Sequence, residues 1–206
     1  MQTVRLVLWG LVALIVIGMG AFAVQAYLRG QSADQATLYE ESVAAVGGPF
    51  TLVRADTGEM VTDADFADKP KAIFFGFTYC PDVCPTTLFE LATYMEELGP
   101  LAENFHTLMV TVDPERDTPE FLDQYVSAFD DRIIGLTGDP ANVDDVISNY
   151  RVYARRVELE SGDYTMDHTA SIFLMNAENE LIGTIAYQES PETALPKLER
   201  LARLGS

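Results

Sequence analysis

The chain has 206 residues, of which 32 are acidic and 13 basic, for a formal net charge of −19. That length suits one domain of ordinary size with an appendage. So acidic a surface repels phosphate backbones and argues against nucleic-acid binding; it suits solubility, or a partner with a basic face whose encounter it would accelerate.

The elements follow in chain order. No charge interrupts the stretch between Arg5 and Arg29, and "LVLWGLVALIVIGMGAFAVQAYL" is almost wholly apolar. A helix of that length spans the roughly 30 Å hydrocarbon core of a bilayer. A cleavable signal peptide is the alternative, with "VQA" at 24–26 as its cleavage site. Signal peptides carry an apolar region of only about 7–15 residues, so length favours a retained anchor. The expected organisation is a short cytoplasmic N-terminus (1–5), a transmembrane anchor (6–28), a small-residue polar stalk (29–46) and a globular domain (47–206). All the acidic residues lie beyond the anchor.

Within the domain, "FTLVRADTGEMVT" reads as a hairpin turning at "DTG". Short apolar runs at 72–77, 107–112, 132–136, 171–175 and 181–187 read as strands, buried on both faces where the run is continuous. Helical stripes alternate with them: Leu88, Leu91, Ala92 and Met95; then Phe121, Leu122, Tyr125, Val126 and Phe129; then Val143, Val146, Ile147 and Tyr150. Thr118-Pro119, Asp139-Pro140 and Ser190-Pro191 each place a capping side chain before a proline at the first helical position. Pro196 inside the last helical pattern predicts a kink or a later start. Met95, Met109 and Met175 fall on apolar stripes as core filler. Strands alternating with helices predict an α/β fold, a mixed sheet with parallel crossovers, helices on both faces and a hairpin at each end.

The only two cysteines, Cys80 and Cys84, lie in "FGFTYCPDVCPTTL" (75–88), between a buried strand and the next helix. Open α/β sheets form their sites at that end of a strand, and a helix N-terminus favours thiolate over thiol. Three readings stay open. A disulfide staple would close a very short loop and constrain the unfolded chain little. A redox pair suits two sulfurs one helical turn apart, joined by a linkage that stays reducible. A soft-metal site suits two thiolates holding Cu(I) or Zn, but needs a further ligand. His106 leads into a strand among apolar residues and ranks low as that ligand. His168, in the polar loop "YTMDHTAS", reaches the same end of the sheet as Cys80 if the strand after it neighbours the cysteine strand. Met166 and Asp167 stand second to it.

With these residues in view, the chain resembles the Sco/SenC family, membrane-anchored proteins of cytochrome c oxidase copper assembly. The resemblance runs from "GGPFTL" to about residue 187 and rests on four blocks in order: "FGFTYCPDVCPTTL", "VDPERDTPEFLDQYV", "GLTGDPANVDDVISNYRVYARR" and "YTMDHTASIFLMN". It implies a thioredoxin-like fold held outside the cytoplasm, with Cys80, Cys84 and His168 binding one copper ion, Cu(I) or Cu(II). It implies delivery to the binuclear copper site of oxidase subunit II, with an upstream periplasmic copper chaperone as donor. The alternative role is a thiol-disulfide oxidoreductase using Cys80 and Cys84 as a redox-active pair on that subunit's cysteines. No presequence precedes the anchor, so the expected location is a bacterial inner membrane, single-pass, with the domain in the periplasm. The chain departs from commoner members at Tyr79, where a histidine is frequent. Asp82 either favours a bound cation or is an ordinary turn residue. Asp113, Arg116 and Asp117 are expected to shape a loop and the next helix start rather than to touch copper.

Overall fold

The computed structural model describes residues 46–205 and, before them, only the isolated positions 9, 19 and 25. Apart from those positions, the expected anchor and the expected stalk up to residue 45 lie outside the described residues. Among the described residues no helix is long and apolar enough to cross a membrane.

Seven strands form the main sheet: β1 (Thr51–Arg54), β2 (Met60–Thr62), β3 (Lys71–Gly76), β4 (His106–Thr111), β5 (Ile133–Thr137), β8 (Ile172–Met175) and β9 (Leu181–Ile185). Their order is β2-β1-β5-β4-β3-β8-β9. β6 (Ala154–Glu158) and β7 (Tyr164–His168) pair with each other in a separate two-stranded ribbon. The helices are α1 (Val83–Leu98), α2 (Pro119–Ser127), α3 (Pro140–Asn149) and α4 (Pro191–Leu204). β3, β4 and β5 run parallel. β8 is antiparallel to β3, with Phe74 opposite Ile172, and β9 returns antiparallel to β8. The sheet is therefore mixed, as the alternating periods predict.

β3 is central because its sequence is apolar on both faces, and every one of its residues is buried. Successive side chains point to opposite faces. On one face, a Cβ on Gly76 would meet the Cys84 sulfur at 3.0 Å, so glycine lets α1 seat its first turn against the strand. On the other face, Phe75 packs against Tyr150, just past α3, and against Phe173, with ring centroids 5.5 and 5.6 Å away. Helices thus cover both faces. Met95, Met109 and Met175 are buried in the core.

The helix starts coincide with the expected prolines, but of the three expected caps only Thr118 makes a side-chain capping hydrogen bond, and Asp139 and Ser190 make none. The Thr118 side chain accepts from the Phe121 N–H, and Pro119, Pro140 and Pro191 each sit in the first turn of their helices. Two expectations need correction. α4 begins at Pro191 and includes Pro196. The N–H missing at Pro196 would have met the carbonyl of Glu192, in an exposed first turn where solvent serves that group instead. The segment before β8 is not a loop: residues 164–168 are a strand. Its residues and those of β6 are half-buried or exposed on both sides, so no burial alternation marks them.

Phe75 supports β3 from the face opposite the cysteines. Phe75→Ala should cost roughly 3–5 kcal/mol of stability, the usual cost of emptying an aromatic core position. Urea unfolding followed by circular dichroism measures it directly.

Candidate metal centre

β3 ends at Gly76, and the chain turns through Phe77–Asp82 into α1. Asp82 is the residue before the first helical turn, but its side chain makes no capping hydrogen bond. The sulfur of Cys80 takes that place and accepts from the Cys84 backbone N–H at 3.4 Å. Cys84 is the second residue of the helix and fully buried, whereas Cys80 is half-buried. Pro85 follows in the same turn, where its missing N–H leaves no intrahelical bond unmade.

His168 arrives from far along the chain. Because β8 lies antiparallel beside β3, the residues just before β8 return to the end of β3 that carries the cysteines. The ribbon β6–β7 sets His168 as its last residue, opposite Ala154. The imidazole stands edge-on to Phe77 and Phe74, with centroids 5.7 and 6.2 Å away. Nδ1 lies 2.9 Å from the Thr169 carbonyl. A carbonyl only accepts, so Nδ1 is the donor in this contact, and in a neutral ring Nε2 is then the nitrogen free to ligate. Nε2 lies 3.5 Å from the Cys84 sulfur. The two sulfurs and one ring nitrogen all fall within 4.8 Å of one another. Two thiolates and a neutral imidazole are a donor set for a soft or borderline ion, and the Thr169 carbonyl supplies the outer partner that orients such a histidine.

The two sulfurs differ sharply in acidity. The hydrogen bond from the Cys84 thiol takes the Cys80 thiol from its ordinary value down to about 3. Partial burial opposes that shift, while hydrogen bonds from the backbone N–H groups of Cys84 and Asp82 add to it. Cys84 moves far up, because it is the donor of that bond and because it is buried. The first proton therefore leaves Cys80.

The other residues singled out in the sequence take clear places. His106 opens β4 opposite Lys71, at the far end of the sheet, where its Nε2 lies 2.7 Å from Asp68 Oδ1. Asp167 is exposed beside Arg155, on the ribbon face away from His168. Met166 shares the His168 face and packs on the core. Asp117 is fully buried and accepts from the backbone and hydroxyl of Thr78 and from the Thr111 hydroxyl. It ties the cysteine loop to the end of β4. Burial raises its pKa against the opposing effect of those hydrogen bonds. Asp113, Arg116 and Asp117 do not belong to the three-residue cluster. Sequence reasoning missed Phe74, Phe77, Thr78 and Thr111 as supports of the site. Each reads in sequence as an ordinary core or turn residue, and only the closing of the sheet brings it to the ligands.

A family model described as SCO1/SenC matches residues 39–203. Protein SCO1 homolog 1, mitochondrial, of Arabidopsis thaliana is 40% identical over 143 residues, 68% of this chain and 42% of that protein. The human Protein SCO1 homolog, mitochondrial, is 39% identical over 140 residues, 66% of this chain and 46% of that protein. The chain thus spans less than half the length of these two relatives. Among solved structures, that of Bradyrhizobium japonicum ScoI with copper bound is 46% identical with a TM-score of 0.70, covering 76% of this chain and 99% of that one. With its match over most of its length and its paired cysteines facing one histidine, the chain belongs to the SCO1/SenC family.

Proposed function

We propose that this chain is a membrane-anchored copper metallochaperone. It takes up one copper ion through Cys80 Sγ, Cys84 Sγ and His168 Nε2. It passes that ion to the binuclear copper site of cytochrome c oxidase subunit II, from the periplasmic side of a bacterial inner membrane. An upstream periplasmic copper chaperone is the donor.

The observation that carries this reading is the convergence of three soft or borderline donors within 4.8 Å, with His168 Nδ1 turned to the Thr169 carbonyl and Nε2 toward the sulfurs. The copper-bound state of the Bradyrhizobium japonicum relative supports the choice of metal. The acidic surface suits collection of a cation. Three donors leave copper open to a partner's thiolate, so transfer proceeds by ligand exchange rather than by release into water. Oxidation of Cys80 and Cys84 to a disulfide gives up two protons and two electrons and removes two of the three donors. Metal uptake therefore requires the reduced pair.

Titration of the reduced chain with copper tests the donor set. Wild type should bind one equivalent, and His168→Ala should weaken binding by at least about tenfold, since loss of an outer partner alone costs about 10–100-fold. Equal affinity and an unchanged Cu(II) absorption spectrum in His168→Ala would remove histidine from the site.

The asymmetry of the cysteines favours a second reading, a thiol-disulfide oxidoreductase acting on the subunit's own copper-site cysteines. The Cys80 thiolate attacks a sulfur of the substrate disulfide, and one substrate thiolate leaves. Cys84 then gives its proton to the departed substrate thiolate and attacks Cys80 Sγ, which releases the second thiolate and leaves the Cys80–Cys84 disulfide. This route suits a half-buried sulfur whose pKa hydrogen bonding lowers, in front of a buried one whose pKa that bond and burial raise. Limited iodoacetamide at neutral pH, followed by peptide mass spectrometry, should label Cys80 well before Cys84; preferential labelling of Cys84 would reverse the roles.

A further inference from the structure

The ribbon that carries His168 pairs with no strand of the main sheet. An isolated two-stranded ribbon is marginally stable in water, so something else must hold this one over the cysteines. One guanidinium stands where the three segments around the site meet. The Arg116 side chain, only 16% exposed, forms an ion pair through Nε with Asp113 Oδ2, which fixes it to its own loop after β4. Its Nη1 donates to the Tyr164 carbonyl at 3.0 Å, and its Cζ lies 3.7 Å from the Tyr164 ring centroid. The same Cζ lies 4.7 Å from the Tyr79 centroid and 5.9 Å from that of Phe77, on either side of Thr78 in the cysteine loop.

Tyr164 is held from further directions. Its hydroxyl donates to Asp113 Oδ1 at 2.9 Å. The Arg156 guanidinium lies 3.5 Å from its ring centroid. Two guanidinium carbons this close to one centroid fit only on opposite ring faces, so the tyrosine is sandwiched. Arg156 is anchored in turn to Glu115 at 3.3 Å. The ribbon is thus secured at its turn end by Tyr164, the first residue of β7, and at its other end by the packing of His168 on Phe74 and Phe77.

From this arrangement we infer that Arg116 is the positioning residue that holds the His168 ribbon against the cysteine loop. The clamp rests on the reading of His168 as a ligand only for its effect on copper; its effect on the ribbon is independent of any metal. Lysine cannot replace it. An ammonium is a point charge without the planar face for stacking on three rings, and it lacks the fork that serves Asp113 and the Tyr164 carbonyl together.

The test uses the full reduced chain without metal, followed by hydrogen exchange with peptide-level mass spectrometry. In Arg116→Lys, amides of residues 154–168 should exchange at least about tenfold faster, while those of β3 and β4 keep their wild-type rates. Tyr164→Leu should do the same, and Tyr164→Phe, which keeps the ring, should retain most of the protection. Copper affinity of Arg116→Lys should fall by about tenfold in parallel. Unchanged exchange across 154–168, or an equal rise in β3 and β4, would overturn the proposal. If His168→Ala leaves copper binding intact while Arg116→Lys still frees the ribbon, the ligand reading fails and the clamp stands.

Discussion

The hydrogen bond from His168 Nδ1 to the Thr169 carbonyl is the interaction on which the chemistry of this protein depends. It makes Nδ1 the donor, and in a neutral ring leaves Nε2 bare toward the Cys84 sulfur. A rotated ring or the other tautomer would present an N–H to the sulfurs, and the cluster would be two thiols beside a histidine rather than a set of three donors. Everything around the imidazole serves that orientation. Phe74 and Phe77 meet it at steep interplanar angles of 69° and 87°, blocking rotation without offering it a competing acceptor.

The second constraint is the seating of α1. A helix begun at Val83 puts the Cys84 amide at its N-terminus and lets the Cys80 sulfur cap it. The helix dipole and the Cys84 thiol both draw charge onto Cys80. The same contacts that build a helix end therefore create an acidic, accessible sulfur in front of a buried one. Metal binding and thiol exchange draw on identical atoms, which is why the two functional readings couple. One requires both sulfurs reduced; the other consumes that state.

Beneath the ligands lies a polar frame in an otherwise apolar core. Buried Asp117 gathers Thr78 and Thr111, and its own carbonyl accepts from Thr137. Arg116 gathers rings and a carbonyl from separate segments. Buried polar groups are costly unless satisfied; the Asp117 carboxylate is satisfied by Thr78 and Thr111 in this arrangement of the loops, whereas Nη2 of Arg116 is buried without a hydrogen-bond partner. The cost of leaving Asp117 unpaired favours this one geometry of the cysteine loop and the end of β4.

Much of this was legible in the chain itself. Continuous apolar runs marked β3 and β4 because both faces are buried, and Ser/Thr/Asp-Pro pairs marked helix starts because they act through local backbone geometry. Cys80 and Cys84 announced a site because two soft sulfurs beside a helix start have few other uses. The ribbon at 154–158 and 164–168 was not legible, since neither strand hides a face and hydrogen bonding between them leaves no apolar period. Nor was the role of Arg116, whose partners lie on segments remote in sequence. Residue type and local period thus determined the elements and the candidate donors. Only the antiparallel return of β8 beside β3 decided that His168, 84 residues beyond Cys84, meets it at 3.5 Å. Non-local pairing is a property of the closed sheet, and no short stretch of sequence encodes it.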